Sequence, residues 1–417
     1  MTEASESFTA AVSYDPDRRH SRTTIKFSLL NLFPKSHLFH NALGWLSIPT
    51  GTGIASYIFV GYVSLIPSIM FSKYIMGWPS FFNRTPSIEP LEENDKVERN
   101  VSTTAAGSIT AIKTLSARSQ MHVQQCGGPD NIAPLLMRQI SLFGPGIPGS
   151  YLFTHIYLVM ARWNFYLTGR ILVDQLTERY LSQWIKFGEN ALLQVRTCWL
   201  DDVVESFGMK YDGKLFNVVI LGAGYDTRCY RLGKLQQKNA RLFEVDAVGT
   251  QQIKKNSLKK AKVDSSSVHF VSCDFENENW MDNLVSQSNF DKSLPSVFVW
   301  EGVSMYLDRE VVESTLSEVS KCGKGSCIGF DYMDKSCFNP TIMKKTKSVG
   351  EPWKFGMDYE DADKLVRDCN EKSSGLPLQI LDHLRYEELK ERYLAKYVNG
   401  QYVGYLKDFG GFLLLGA

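Results

Sequence analysis

The sequence lacks the cysteine and histidine spacings that build zinc sites and disulfide frameworks. Its eight cysteines form no CxxC pair, and its seven histidines contain no HExxH pattern. Zinc sites of the common classes need such spacings, so we predict no metal. Scattered cysteines in a long chain are typical of reduced thiols in the cytoplasm, and a disulfide-stabilised protein is the less favoured alternative.

The sequence also has no excess of charge of either sign. It contains 46 Lys and Arg residues against 45 Asp and Glu residues. A global positive charge is the usual sign of a chain that binds nucleic acid. We therefore do not expect nucleic acid as a partner.

Charged residues are missing altogether from residues 36–72, and residues 53–71 are almost continuously apolar. An apolar run of about 20 residues is long enough to cross a bilayer. A membrane anchor, an interfacial helix, a helix docked on the rest of the chain and a hairpin with residues 36–48 all stay open. We predict membrane association through residues 36–78.

The predicted domains are a disordered polar tail (1–34), the apolar segment (35–78), a linker (79–104) and one large domain (105–417).

A glycine turn follows the clearest predicted strand. Residues 218–221 are apolar and mostly β-branched, and Gly222 and Gly224 come directly after them. Glycines at the end of a buried parallel strand allow a sharp turn and the close approach of a ligand. Thr227 replaces the third glycine of the dinucleotide fingerprint, and Asp226 puts negative charge where a phosphate would lie. The pattern favours an uncharged or cationic nucleoside ligand over NAD.

Two acidic residues, Glu244 and Asp246, end the next predicted strand. Alternation along a strand sends their side chains to the same face, and either carboxylate is able to accept hydrogen bonds from ribose hydroxyls. We favour Asp246 as the ribose ligand, with Glu244 as the second candidate. The acid that does not bind ribose is expected to pair with a lysine such as Lys254.

The glycine turn belongs to a series of motifs on both sides of it. In chain order they are Arg196-Thr197, LGAGYDTRCYRL at 221–232 with FEVD at 243–246, Cys273-Asp274-Phe275, Trp300-Glu301-Gly302, Gly329-Phe330-Asp331-Tyr332 and GEPWKFG at 350–356. In this order they resemble the S-adenosylmethionine-dependent methyltransferases of the leucine carboxyl methyltransferase-like family, above all its uncharacterised bacterial-type branch.

The resemblance implies S-adenosyl-L-methionine as the cosubstrate, with Arg196 binding its carboxylate. Other predicted cosubstrate contacts lie at strand ends: Gly222 and Gly224 beneath it, Asp274 and Phe275 at the adenine, and Glu301 at the ammonium group. An ordinary turn, a helix N-cap at Asp274 and a structural role for Glu301 are the alternatives. Arg228 and Arg231 are predicted to be structural, paired with Asp226 or Asp201.

Tyr306 and Tyr332 are the predicted catalytic residues. They would donate to an acceptor carboxylate or act as general bases for a hydroxyl, although both also fit as core aromatics. Residues 351–356 are predicted to form a lid over the acceptor.

The predicted fold class is α/β: a doubly wound, Rossmann-like methyltransferase sheet with an amino-terminal helical cover and an apolar extension. Strands are predicted at 218–221, 242–245, 268–272, 296–299 and 327–331, with a final antiparallel hairpin of 402–406 and 411–415. Helices are predicted at 105–119, 131–143, 151–172 and 226–234.

The predicted function is O-methylation of a carboxylate or hydroxyl on a small or lipophilic acceptor. Two alternatives stay open. One is a catalytically inactive scaffold protein that binds the cosubstrate, and the other is an NAD-dependent oxidoreductase.

Overall fold

The structure is a computed structural model that describes residues 109–123, 128–140, 158–159, 162, 189–236, 239–348, 351–393 and 410–417. The predicted tail, apolar segment and linker therefore lie outside the described residues, as does most of the predicted helix at 151–172. None of the described helices is long and apolar enough to cross a bilayer.

A seven-stranded sheet with the order β3-β2-β1-β4-β5-β7-β6 forms the centre of the described chain. Its strands are β1 (Phe216–Leu221), β2 (Ala240–Asp246), β3 (Val268–Ser272), β4 (Ser296–Trp300), β5 (Cys327–Met333), β6 (Gln379–Arg385) and β7 (Gly410–Gly416). The first five strands are parallel, and β7 is antiparallel to both β5 and β6. Every residue of β1, β4, β5 and β7 is buried, which explains their mainly apolar sequences.

Helices lie on both faces of the sheet. They are α1 (Ile109–Val123), α2 (Ala133–Met137), α3 (Glu189–Lys210), α4 (Arg228–Arg231), α5 (Gly233–Gln236), α6 (Val248–Ala261), α7 (Trp280–Gln287), α8 (Arg309–Ser320), α9 (Pro340–Ser348), α10 (Ala362–Lys372) and α11 (Tyr386–Tyr393). One core packs α7, α8 and α10 against the sheet, and a second packs α3 and α11 against the opposite face. A third apolar cluster joins α1, α2 and α6. The predicted fold class is confirmed.

The five predicted parallel strands are confirmed, each extended by at most two residues at an end. The final hairpin is wrong in its first arm, because both edges of β7 are already paired, one with β5 and the other with β6. Residues 402–406 lie outside the described residues. In the partner strand β6, apolar and polar residues alternate less clearly along the sequence, since most of its side chains are only partly buried.

The predicted helices differ in their bounds. The first runs from Ile109 to Val123, and the second is only the five-residue α2. The helix predicted at 226–234 is divided into α4 and α5, because Leu232 leaves helical geometry at φ −81° and ψ 68°. The glycine turn is therefore followed by a single helical turn.

Candidate active site

The glycine turn lies at the carboxyl end of β1, in the middle of the sheet. Gly222 and Gly224 have φ angles of +61° and +45°, a region that favours glycine. A Cβ on Gly222 would collide with Val303, which follows β4, and a Cβ on Gly224 would lie 3.3 Å from the Cβ of Ala111 on α1. The turn is thus closely covered by the loop after β4 and by α1.

Asp246 closes this turn from the end of β2. Its Oδ2 accepts a hydrogen bond from the amide of Gly224, and its Oδ1 accepts one from the amide of Ala247 at 2.6 Å. Burial raises the pKa of Asp246, and the two amide hydrogen bonds oppose that rise. A carboxylate has about four acceptor positions, so two remain for a ligand.

Glu244 shares a face of β2 with Asp246 but has different surroundings. Its Oε2 lies 2.6 Å from Lys254 Nζ, and both side chains are 1% exposed. Burial raises the pKa of Glu244 to about 7, although the charge of Lys254 lowers it. The ion pair with Lys254 that we predicted for one of the two acids is therefore observed at Glu244.

Glu301 directly follows β4 and is surrounded by three guanidinium groups. Its Oε1 accepts from Arg118 Nη2 at 2.5 Å and from Arg196 Nε at 2.9 Å, and its Oε2 accepts from Arg228 Nη1 at 2.6 Å. These arginines belong to α1, α3 and α4, so one carboxylate joins three helices to the sheet. Burial alone would raise the pKa of Glu301, but the three positive charges hold it well below its usual value. One acceptor position remains on Oε2 for a ligand ammonium group.

Arg228 and Arg231 extend this cluster into a buried ion network. Arg228 pairs with Asp201 at 2.9 Å and with Asp226, and Arg231 pairs with Asp201 at 2.6 Å. The pairing of both arginines with Asp226 or Asp201 that the sequence predicted is observed. The network contains Arg118, Arg196, Arg228 and Arg231 together with Asp130, Asp201, Asp226, Glu301 and Asp331. Among the residues that the structure describes, it has one carboxylate more than it has guanidinium groups.

Arg196 lies beneath the loop that follows β4. Its Nη1 donates to Asp331 Oδ2 at 2.9 Å, and the same aspartate accepts from the amide of Gly302 at 2.6 Å. Burial lowers the pKa of Arg196, but Asp331 and Glu301 together raise it above its usual value. The side chain is held near the candidate site through two protein carboxylates, and its binding of a cosubstrate carboxylate stays a prediction.

Asp274 and Phe275 follow β3, beside the end of β2. Asp274 is exposed, and its carboxylate accepts from the amide of Glu276 at 3.0 Å and from Asn277 Nδ2 at 2.8 Å. Phe275 is partly buried against the core under α7 and α8. The side chain of Asp274 thus orders its own turn, and the adenine contact stays a prediction.

Tyr306 follows Glu301 in the chain and ends the 3-10 turn Ser304–Tyr306. Burial raises its pKa, while hydrogen bonds with Thr110 and Trp353 oppose that rise, and the charge of Glu351 adds to it. The hydroxyl therefore faces α1 and the predicted lid. Its catalytic role stays a prediction.

The predicted lid crosses the loops that follow β3 and β4. The amides of Lys354 and Phe355 donate to the carbonyl of Met305 at 2.7 and 3.2 Å. Lys354 Nζ contacts Glu276 at 2.6 Å and Asp308 at 3.1 Å. The segment is therefore placed over the carboxyl edge of the parallel strands.

Tyr332 is buried at 1% exposure and turns away from the glycine turn. Its side chain crosses Gly411 of β7, and its Oη lies 2.7 Å from His383 Nε2 on β6. Tyr359 stacks on that imidazole, with 3.8 Å between ring centroids. Since β1 lies on the other side of β5, the structure does not bring Tyr332 to the glycine turn, and we leave it out of the proposed site.

Two residues of the site were not predicted from the sequence. Arg118 contacts Glu301 across 183 positions of the chain, and it has no signal beyond being an arginine among small residues of a helix. Asp331 was part of a motif, but no role was assigned to it. A charged residue at the centre of a strand that is buried on both faces was the available signal, because such a charge needs a partner.

Within the described ranges, no group of three or more His, Cys, Asp or Glu side chains could hold a metal ion.

A comparison with protein-family models finds a match within this chain. Residues 166–320 match the leucine carboxyl methyltransferase family. The resemblance in the motifs is thereby confirmed. The match covers β1 to β4, the glycine turn, Glu244, Asp246 and Glu301.

Curated relatives agree with the leucine carboxyl methyltransferase match. YktD of Bacillus subtilis (strain 168), provisionally named an S-adenosyl-L-methionine-dependent methyltransferase, is 34% identical over 187 residues, which is 42% of this chain and 58% of YktD. SAV474 of Streptomyces avermitilis, provisionally named in the same way, is 29% identical over 136 residues, or 32% of this chain and 46% of the relative. The chain thus spans about half the length of the curated relatives it matches.

Solved structures give weaker similarities. A methyltransferase of Thermobifida fusca, itself assigned provisionally, matches this chain with a TM-score of 0.40 at 15% identity. The match covers 59% of this chain and 88% of the other. Magnesium protoporphyrin IX methyltransferase of Synechocystis PCC 6803 has a TM-score of 0.33 at 13% identity, over 62% of this chain and 98% of its own. Because both scores are below 0.5, we draw nothing further from them.

Proposed function

We propose that this chain is an S-adenosyl-L-methionine-dependent methyltransferase. The observation that carries the proposal is the turn in which the amide of Gly224 donates to the carboxylate of Asp246, at the carboxyl ends of β1 and β2. Ligands of open α/β sheets bind outside the carboxyl ends of the strands, near the point where the strand order reverses. In this sheet that point lies between β1 and β4. The family match and the names of the relatives support the same cosubstrate.

Asp246 and Glu301 have complementary tasks in this proposal. The two remaining acceptor positions of Asp246 would bind the ribose hydroxyls, and the open position of Glu301 would bind the ammonium group. The excess carboxylate of the ion network favours a cationic sulfonium over a neutral ligand. Methyl transfer from a sulfonium is an in-line displacement that depends mainly on alignment and on exclusion of water. The cover formed by α1 and residues 351–356 is suited to that exclusion.

We further propose that the methyl acceptor is an oxygen, as a carboxylate or hydroxyl of a small or lipophilic molecule. Tyr306 is the candidate acceptor-side residue, because its hydroxyl faces both α1 and the lid. The ring of Trp353 lies 6.1 Å from that of Phe338 and offers an apolar wall beside it. A carboxylate acceptor is ionised near neutral pH and needs orientation more than a base. Association of residues 36–78 with a membrane would bring a cytoplasmic enzyme to a lipophilic acceptor.

An NAD-dependent oxidoreductase is less well supported. The carboxylate of Asp226 accepts from the amide of Arg228 at 2.7 Å, at the start of α4. A dinucleotide would place its pyrophosphate at such a helix start, and a carboxylate occupies it here. An inactive scaffold has no observation in its favour.

Calorimetric titration of the full-length chain with S-adenosylhomocysteine tests the proposal, with NAD titrated in parallel. We expect micromolar binding of the first ligand and none of the second. Binding of NAD alone, or of neither ligand, would refute the proposal. Turnover of radiolabelled S-adenosylmethionine with a panel of carboxylate and hydroxyl acceptors then separates an enzyme from a scaffold that only binds.

A further inference from the structure

Tyr225 is a buried tyrosine directly beside the glycine turn. It follows Gly224, whose amide is bound by Asp246, so its backbone position is fixed by the same turn. The residue is 3% exposed and belongs to the apolar cluster that includes Leu115 on α1, Leu136 on α2 and Leu258 on α6. An aliphatic or phenylalanine side chain would suit these neighbours equally well.

The hydroxyl of Tyr225 distinguishes it from such a side chain. Its Oη has no hydrogen-bond partner among the described residues. A buried hydroxyl without a partner costs free energy that phenylalanine would avoid. Burial and the charge of Asp246 both raise the pKa of Tyr225, so the hydroxyl stays protonated. The group is therefore a donor without an acceptor, on the residue that directly follows Gly224 in the turn closed by Asp246.

A ribose hydroxyl has the complementary chemistry. An ionised carboxylate only accepts hydrogen bonds, whereas a sugar hydroxyl donates one proton and accepts with its lone pairs. A ribose hydroxyl that donates to Asp246 still needs a donor of its own. A tyrosine hydroxyl is such a donor.

We propose that Tyr225 is a specificity residue of the cosubstrate site, whose hydroxyl donates to a ribose hydroxyl that in turn donates to Asp246. This inference rests on the proposed function, because it assigns a ligand group to the same site. It predicts that the site distinguishes a ribose from a deoxyribose by two protein groups rather than by one.

The test compares Tyr225→Phe with the wild-type full-length chain by calorimetric titration with S-adenosylhomocysteine. Loss of one hydrogen bond should raise Kd about fivefold to tenfold. The melting temperature of the unliganded variant should be unchanged or higher, because no pairing is lost in the free protein. Tyr230→Phe is the matched control, since Tyr230 borders the same apolar cluster and its buried hydroxyl also lacks a hydrogen-bond partner among the described residues, but the charge that most raises its pKa is that of Glu244 rather than that of Asp246. That variant should bind as the wild type does.

Analogues of the ligand that lack the 2′- or the 3′-hydroxyl identify the group concerned. The wild type should bind one of them more weakly than the parent compound, and Tyr225→Phe should lose about fivefold to tenfold of that discrimination. An unchanged Kd in Tyr225→Phe, or discrimination equal to that of the wild type, would overturn the inference while leaving the methyltransferase proposal intact. Failure of the wild type to bind S-adenosylhomocysteine would instead refute the proposed function, and this inference with it.

Discussion

Glu244 and Asp246 illustrate how two acids on one face of a strand acquire different roles. They are two positions apart on β2, but Glu244 is 1% exposed and paired with Lys254, whereas Asp246 reaches the glycine turn. A buried charge needs a fixed partner, so Glu244 is committed to the protein. Asp246 keeps acceptor positions for a ligand.

At the scale of single residues, we expect Asp246→Asn to weaken binding of S-adenosylhomocysteine at least tenfold. The amide retains the shape of the carboxylate but loses its charge and half of its acceptor capacity. Calorimetric titration measures the change. Affinity equal to that of the wild type would mean that the ribose contact lies elsewhere, and Glu244→Gln would then be the variant to titrate.

A second prediction concerns the pH dependence of stability through Glu244. Burial raises its pKa from 4.5 to about 7, so between these values the unfolded chain has lost a proton that the folded chain retains. The contribution of Glu244 to the free energy of unfolding is therefore fully present below pH 4.5 and is lost as the pH rises towards 7. The slope is at most about 1.4 kcal/mol per pH unit.

Urea unfolding of the wild type and of Glu244→Gln, at several values between pH 5 and pH 7, measures this contribution. The free energy of the wild type should fall relative to that of the variant as the pH rises. The double variant Glu244→Gln, Lys254→Met removes the ion pair as a whole and should show the same relative slope. A difference that does not change with pH would contradict the shift.

At the scale of elements, the contact between the glycine turn and α1 determines how the site is covered. Gly224 has a φ of +45°, and Ala111 of α1 lies against it. The same helix contributes Arg118 to Glu301. The cover and the glycine turn are therefore held together by one close contact and one ion pair.

We expect Gly224→Ala to weaken binding of S-adenosylhomocysteine and to lower the free energy of unfolding by about 1–2 kcal/mol, because a Cβ is strained at positive φ. Gly213→Ala is the matched control. Its φ is +76°, and nothing lies within 4 Å of an added Cβ. That variant should lose similar stability but keep its affinity, as measured by urea unfolding and calorimetry. Equal affinity in both variants would show that the closeness of α1 to the turn does not matter for binding.

At the scale of the whole molecule, the described residues form one sheet with cores on both faces, and α1 is the first described element. Residues 36–78 carry the predicted membrane association and precede it in the sequence. If that segment is a separable anchor, its removal should leave the cosubstrate site intact.

A variant without residues 1–100 should bind S-adenosylhomocysteine within about twofold of the full chain, whereas only the full chain should sediment with lipid vesicles. A longer truncation, of residues 1–124, removes Arg118 and should lose binding, because Glu301 then lacks one of its three partners. Equal sedimentation of the full chain and the first variant would contradict the anchor.

The sequence by itself determined the five parallel strands of the sheet and the edge on which the candidate site lies. Buried parallel strands need continuous apolar runs, and a sharp turn at positive φ needs glycine. These are local requirements, so β1 to β5 and the turn at Gly222 and Gly224 were predictable. The order of the motifs was sufficient to show the resemblance to the leucine carboxyl methyltransferase family, which a family model matches over residues 166–320.

The tertiary structure alone decided which side chains meet. Arg118 and Glu301 are 183 positions apart, and β7 pairs with β6 rather than with the residues just before it. The same holds for Tyr332, which turns to His383, and for Lys254, which pairs with Glu244. Pairing of buried polar groups depends on which elements pack together, and that is settled by the burial of apolar surface in the whole chain rather than by spacing along it.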